Sequence, residues 1–209
     1  MLIIVEHPLC ACELTVVRDC RTDGPTFRAA MHRVGLHVCL EATRHLRVRA
    51  VPVVTPLEET SGYVLEHRVV AVPILRAGLM FLEPMMQILP RVEVGFIGLR
   101  RDEETLQPHE YYRKLPPLDV TTSIIVLDPM LATGGSSVAA LERLRAAGVQ
   151  DITVACAIAA PEGVERVEAV LPNVRIVAGG LDRCLNERGF ILPGLGDAGD
   201  RAFGTENQL

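Results

Sequence analysis

Two rhythms of apolar and polar positions alternate along the chain. Ile124-Ile125-Val126-Leu127 is an unbroken aliphatic run, the mark of a strand buried on both faces. It ends at an acid, Asp128. Five small residues follow from Ala132 to Ser136, and Val138-Ala139-Ala140-Leu141-Glu142-Arg143-Leu144 resumes at helical spacing. Val69 to Leu75 is a second buried run. It ends in Arg76-Ala77-Gly78, ahead of a helix through Leu79, Leu82, Met85, Met86 and Leu89. The same reading predicts strands over Glu93 to Leu99, Asp151 to Ile158 and Val174 to Ala178, and a helix over Pro161 to Leu171. Alternating strands and helices imply an α/β fold with a parallel sheet covered on both faces. Ligands of such sheets sit beyond the carboxyl ends of the strands. Asp128 and Arg76 both fall at such ends and are predicted to face one crevice.

The flanks are less regular. Residues 1–22 read as irregular, with a short strand or extended arm. Asp23-Gly24-Pro25 reads as a turn with Thr26 as N-cap. A helix from Phe27 to Leu46 places Phe27, Met31, Val34, Val38 and Leu46 near one face. Val48 to Val54 is a strand that Pro52 assigns to an edge, and Tyr63 to Leu65 a short extended piece. Residues 100–117 are charged and proline-bounded, which predicts a hairpin or lid. Beyond Leu181 no periodic element is expected. The glycines there, set between Ile191, Leu195 and Phe203, predict a loop that offers main-chain donors and acceptors to a small planar ligand.

The strand, acid, small-residue loop and helix around Asp128 have the make-up of a phosphate seat. Free N–H groups and the helix dipole favour an anion at a helix start. Gly134 and Gly135 permit unusual dihedrals and close approach, while Thr133 and Ser136 add hydroxyls. No Gly-Lys-Ser/Thr occurs, which excludes a P-loop, and no Gly-x-Gly-x-x-Gly follows a strand here. An acid placed for vicinal hydroxyls, directly upstream of a phosphate seat, suits a ribose 5-phosphate.

The 209 residues suffice for one domain, and the net charge of −5 argues against a nonspecific nucleic-acid binder. No basic-then-apolar leader and no apolar run of bilayer length is seen, so the expected location is the cytoplasm. None of the six cysteines forms a Cys-x-x-Cys pair, and all are read as reduced packing or idle thiols.

Val126-Leu127-Asp128-Pro129-Met130-Leu131-Ala132-Thr133-Gly134-Gly135-Ser136 resembles the phosphoribosyl-diphosphate (PRPP) motif of type I phosphoribosyltransferases, in the form found in uracil phosphoribosyltransferases. Pro193-Gly194-Leu195-Gly196-Asp197-Ala198-Gly199-Asp200-Arg201, with Phe203-Gly204-Thr205, is similar to that family's uracil-binding segment. Pro73-Ile74-Leu75-Arg76-Ala77-Gly78 matches its diphosphate loop. Arg101, before Asp102-Glu103-Glu104-Thr105-Leu106, matches its flexible arm. The resemblance covers nearly the whole chain, with departures: Leu79-Met80-Phe81 stands where the family usually has Leu-Gly-Met, Pro129 stands where many type I enzymes carry a second acid, and the N-terminal cysteines and residues 47–67 follow no family pattern.

The resemblance implies the type I phosphoribosyltransferase fold: a central parallel sheet with helices on both faces, a small hood and a β-arm. It implies a single domain over 1–209, with a core of about 68–180, a hood of about 1–22 and 181–209, and a flexible arm of about 100–117. The implied reaction is uracil plus PRPP to UMP and diphosphate, with Mg²⁺ as cofactor. Implied PRPP contacts are Arg76, Arg101, Asp128, Pro129, Met130, Leu131, Ala132, Thr133, Gly134, Gly135, Ser136 and Asp197. The N–H groups of Ala132 through Ser136 are assigned to the 5-phosphate and Asp128 to the ribose hydroxyls. Arg76 and Arg101 are assigned to the diphosphate. Ile191, Gly196, Asp197 and Ala198 are assigned to uracil, with Asp197 also near the magnesium, directly or through water. Arg76, Arg101, Asp128 and Asp197 are the implied catalytic residues. A strained or cis peptide is expected at Arg76–Ala77. A homodimer or larger homo-oligomer is expected, and GTP activation, seen in some relatives, has no residue assigned to it. The competing readings are a phosphoribosyltransferase for another base and an RNA-binding pyrimidine-operon regulator of the same fold.

Overall fold

The computed structural model describes residues 1–101 and 108–205. In chain order the elements are β1 (Leu2–Ile4), α1 (Pro8–Arg18), α2 (Gly24–Ala42), β2 (Val48–Val54), β3 (Glu59–Leu65), β4 (Val69–Leu75) and α3 (Leu79–Ile88). Then come β5 (Glu93–Val94), β6 (Phe96–Arg101), β7 (Pro108–Lys114), β8 (Ser123–Leu127), β9 (Met130–Leu131), α4 (Gly135–Ala146) and β10 (Asp151–Ala159). The chain closes with α5 (Pro161–Val170), β11 (Arg175–Leu181), β12 (Cys184–Leu185), β13 (Ile191–Leu192) and α6 (Ala198–Phe203).

The main sheet runs β1-β11-β10-β8-β4-β6-β7, with β5 on β4 and β9 on β10. All its pairs are parallel except β6 with β7. The aliphatic runs form its centre because both faces are covered. Val70, Val72 and Ile74 of β4 and Ile124 and Val126 of β8 face α4 and α5, among Leu141, Leu144, Val164 and Val167. Val69, Ala71, Ile125 and Leu127 face the other way, among Phe27, Met31, Val34 and Val38 of α2. The period-2 alternation of a strand makes this split. β4 and β8 are neighbours, with Pro73 opposite Leu127. The loops that follow them, carrying Arg76 and Asp128, therefore emerge side by side.

Several expectations are corrected. Residues 8–18 are a helix, not an extended arm: Cys10, Leu14 and Val17 bury one face, and Pro8 occupies the first turn. The N-cap of α2 is Asp23, whose carboxylate accepts the Thr26 N–H at 2.8 Å; Thr26 is the residue capped. That helix ends at Ala42, four residues before Leu46. The tail is not free of elements, since β12 and β13 pair antiparallel and α6 follows, capped by Asp197. β2 and β3 form a separate two-stranded hairpin, so Pro52 does lie on a strand with a free edge. The departure at Leu79-Met80-Phe81 is absorbed by packing. Met80 and Phe81 are buried, and α2 approaches them at Gly35, where a Cβ would lie 3.0 Å from the Phe81 ring and 2.8 Å from Pro84.

Candidate active site

At the carboxyl edge of the sheet, Ile74 to Ala77, Leu99, Asp128, Met130, Ala132 to Gly134, Ser136 and Ser137 line a cavity of about 170 Å³. Its floor is the start of α4. Gly134 adopts φ 72°, which lets the chain turn into the helix without a side-chain cap. The N–H groups of Gly135, Ser136 and Ser137 lie in the first helical turn, where no intrahelical carbonyl reaches them. Free N–H groups at a helix start beside a cavity have the make-up of an anion site. Ala132 is corrected in one respect: its N–H bonds the Met130 carbonyl at 2.9 Å, because the chain between β9 and the helix folds back on itself. The seat is therefore made by the helix start rather than by the whole loop.

Asp128 follows β8, with its backbone N–H on the Ala155 carbonyl. Its carboxylate is packed in the cavity wall and accepts the Ser137 hydroxyl at 2.6 Å. Burial pushes its pKa up to about 6, while the bonds from Ser137 and the Met130 N–H oppose the rise. Ser137 was given no role from sequence, although it lies in the first turn of α4, nine positions after Asp128.

A folded-state pKa raised above 3.8 has a definite sign. The charged carboxylate costs stability above about pH 6, and this cost vanishes as pH falls below the unfolded value. If Asp128 holds the ribose hydroxyls of PRPP, as the resemblance implies, activity should run the other way, since only a carboxylate accepts from both. We predict that kcat/KM for PRPP falls about tenfold per pH unit below about pH 6. The phosphate of PRPP titrates near the same pH, so Ser137→Ala is the control. Removing a donor to the charged form moves the limb to higher pH. A pH–rate profile whose limb stays in place or moves down in that variant contradicts the role of Asp128.

Arg76 reaches the cavity from the end of β4. Its guanidinium donates to Asp200 Oδ1 at 3.0 Å and Thr205 Oγ1 at 2.9 Å, and Thr205 donates to the same Asp200 oxygen at 2.6 Å. These bonds, the Thr205 hydroxyl first and Arg76 next, hold the Asp200 carboxyl below its ordinary pKa. Neither Asp200 nor Thr205 was assigned a role from sequence. The cis peptide lies one bond earlier than expected, at Leu75–Arg76. Beyond Arg76 the chain is already turning into α3, with Gly78 N–H on Ile74 O and Leu79 N–H on Arg76 O. Arg101 ends β6 by its backbone. Its side chain and the arm at 102–107 lie outside the described residues.

A second cavity adjoins the first. Arg188 to Ile191 and Gly196 to Gly199 line it together with Ala77, Met130 and Ala132. The last three also line the first cavity, so the two share a wall. The structure thus brings Ile191, Gly196, Asp197 and Ala198 together in a cavity next to the first. One Asp197 oxygen accepts the Asp200 N–H at 2.9 Å as the cap of α6. Phe190 and Arg188 join this wall without having been foreseen. Among the described residues no group of three or more His, Cys, Asp and Glu side chains gathers to hold a metal. Asp128 and Asp197 offer hard oxygen donors, which fits a magnesium ligated mainly by a substrate's phosphates and water.

Known proteins resemble this chain over nearly its whole length. A family model described as uracil phosphoribosyltransferase matches residues 4–205. A uracil phosphoribosyltransferase of Dictyoglomus thermophilum is 49% identical over 207 residues, covering 99% of this chain and 100% of that one. One from Streptomyces avermitilis is 49% identical over 205 residues, 97% of each chain. Among solved structures, the AQ2163 protein of Aquifex aeolicus superposes with a TM-score of 0.93 at 38% identity, over 99% of both chains. A hypoxanthine phosphoribosyltransferase of Staphylococcus aureus, 10% identical with a TM-score of 0.53 over 80% of this chain and 85% of its own, shares the fold.

Proposed function

The chain belongs to the uracil phosphoribosyltransferase family, and from that premise we infer how its residues divide the work. The family's reaction joins uracil to PRPP, giving UMP and diphosphate, a step of pyrimidine salvage. The observation that carries the assignment of residues is the wall of Ala77, Met130 and Ala132 common to both cavities. It supports reading the first cavity as the phosphate-and-ribose site and its neighbour as the base site.

In this reading the 5-phosphate rests on the N–H groups of Gly135, Ser136 and Ser137, with Thr133 and Ser136 hydroxyls beside it. Asp128 accepts from the ribose 2- and 3-hydroxyls. The uracil ring nitrogen attacks the anomeric carbon and gives up its proton to water or to the departing diphosphate, while the carbon–oxygen bond to diphosphate breaks and its electron pair leaves with the diphosphate. Charge builds on that leaving group, and Arg76, joined by Arg101 from the arm, meets it with a planar fork of donors. Arg76 must exchange Asp200 and Thr205 for the diphosphate to do so. Magnesium bound with PRPP would supply further positive charge at the diphosphate, held on the protein side by Asp197 directly or through water.

Uracil shows acceptor, donor, acceptor along one edge. Main-chain groups of Ile191, Gly196 and Ala198 supply the complement. Cytosine reverses one pair and leaves buried groups unmatched. In this reading the hood, through its described residues 1–22 and 181–205, holds this base site over the core.

The test is an absorbance assay with PRPP, Mg²⁺ and each nucleobase in turn, with and without GTP. Uracil should be consumed, and cytosine, hypoxanthine and xanthine should not. Turnover of a purine, or none of uracil, overturns the reading. An RNA-binding regulator would instead show a salt-dependent RNA shift.

We also propose a homodimer formed through the β2–β3 hairpin. Among the described residues its strands pair only with each other, and a lone two-stranded hairpin is marginal in water. Leu57 at its tip is 95% exposed, and Val54 near the turn and Tyr63 further along the hairpin are exposed too. A double substitution Val54→Asp, Leu57→Asp should shift the light-scattering mass from dimer to monomer. A monomeric parent protein at micromolar concentration removes the proposal.

A further inference from the structure

The base site is read by main chain, and main chain discriminates only as well as it is held. Three charged side chains that do not line that cavity do the holding. Asp182 follows β11 and is 8% exposed. Its carboxylate accepts from the two terminal guanidinium nitrogens of Arg18, at 2.8 and 2.6 Å, and also from the Gly194 N–H at 2.9 Å. Arg18 in turn donates to the Gly194 carbonyl at 3.0 Å. Both polar groups of Gly194 are therefore fixed by one ion pair. Gly194 sits at φ 64°, in a turn so tight that a Cβ would lie 2.0 Å from the Ile191 carbonyl oxygen.

Arg201 holds the next residue. Its guanidinium stacks over the Phe27 ring at 4.3 Å and donates to the Leu195 carbonyl at 2.8 Å. It also donates to the carbonyl of Val17 in the last turn of α1 and to that of Asp19 just past it, the latter shared with the Thr22 N–H. The end of α1 thus carries Arg18 and receives Arg201. The two arginines grip Gly194 and Leu195, immediately before Gly196, Asp197 and Ala198.

We propose that Arg18, Asp182 and Arg201 are positioning residues that set uracil affinity and base discrimination by clamping the 193–197 turn to the end of α1. This rests on the reading of the tail as the uracil site. Loosening the clamp should displace groups that must meet the base within a fraction of an ångström, while the phosphate seat, built on other elements, stays in place.

The test uses the full-length enzyme with steady-state kinetics in both substrates and a thermal melt. In Asp182→Asn, KM for uracil should rise about 10- to 100-fold. KM for PRPP should stay within about twofold, and the uracil-to-cytosine ratio of kcat/KM should fall. Arg18→Lys, which keeps the charge but not the fork, should be intermediate. An unchanged KM for uracil in a folded variant overturns the proposal, as does a parallel rise in both KM values. Should Asp182→Asn fail to fold, Arg201→Lys, which leaves the buried pair intact, is judged by the same criteria. Gly196→Ala, strained at φ 80° in the cavity wall itself, separates the two levels. If it leaves uracil KM unchanged, the base site is misplaced. If it raises that KM and Asp182→Asn does not, only the clamp fails.

Discussion

Arg76→Ala should lower kcat/KM for PRPP by about 10²- to 10³-fold, the range seen when one donor to developing negative charge is removed. Arg76 is the residue whose guanidinium is both fixed by the core and free to change partners. Its backbone is anchored at the end of β4, the strand paired with β8, and its side chain is held over the cavity by Asp200 and Thr205. Lysine should restore only part of the loss, because a single ammonium cannot reproduce two parallel bonds to phosphate oxygens. The exposed pair with Asp200 contributes little to stability, so the melting temperature of Arg76→Ala should hardly change. Steady-state kinetics with PRPP varied decide the matter. A loss below about threefold would mean that the diphosphate leaves by another route.

The second large effect comes from a residue with no functional group. Gly163 lies in the first turn of α5, where that helix meets the phosphate loop. A Cβ there would sit 2.3 Å from the Ala132 carbonyl oxygen and 2.8 Å from that of Leu131. The Gly163 carbonyl oxygen in turn lies 2.9 Å from where a Cβ of Gly134 would be. Two glycines thus let a helix and a loop touch backbone to backbone. Helix propensity alone would make Gly163→Ala stabilising by about 1 kcal/mol. Overpacking costs about 1–3 kcal/mol, and here the obstruction is main chain, which cannot swing aside. The clash should win, lowering the melting temperature and moving the loop that presents the anion seat. A displacement of this kind should cost about 10²-fold in kcat/KM for PRPP. A variant that melts higher and keeps its activity would show that α5 and the loop can part without consequence.

The sequence disclosed the parts of the molecule whose cause is local. The runs at Val69–Leu75 and Ile124–Leu127 are continuous because both sheet faces are covered, and their ends place Arg76 and Asp128. The glycine pair after Thr133 marks the turn into α4 for the same local reason. What stayed hidden depends on partners remote in sequence. α1 escaped because its buried stripe is carried partly by Cys10, a small residue that reads weakly as core. In the structure that thiol is packed away, its pKa pushed up to about 11 chiefly by burial. β12, β13 and α6 are two to six residues long, too short for a periodicity to appear. They are held by Asp182, Arg18 and Arg201, whose contacts span up to 184 positions. Asp200 stood in a recognisable segment, but its bond to Arg76 across 124 positions is a fact of the fold alone.

A crystal structure with UMP bound bears most directly on whether one crevice holds both halves of the nucleotide. The 5-phosphate should lie about 3 Å from the N–H groups of Gly135 and Ser136, with the ribose hydroxyls on Asp128. The uracil edge should meet the main chain of Ile191, Gly196 and Ala198. A nucleotide bound with its phosphate away from the start of α4, or with its base turned out of the Gly196 cavity, would contradict the account.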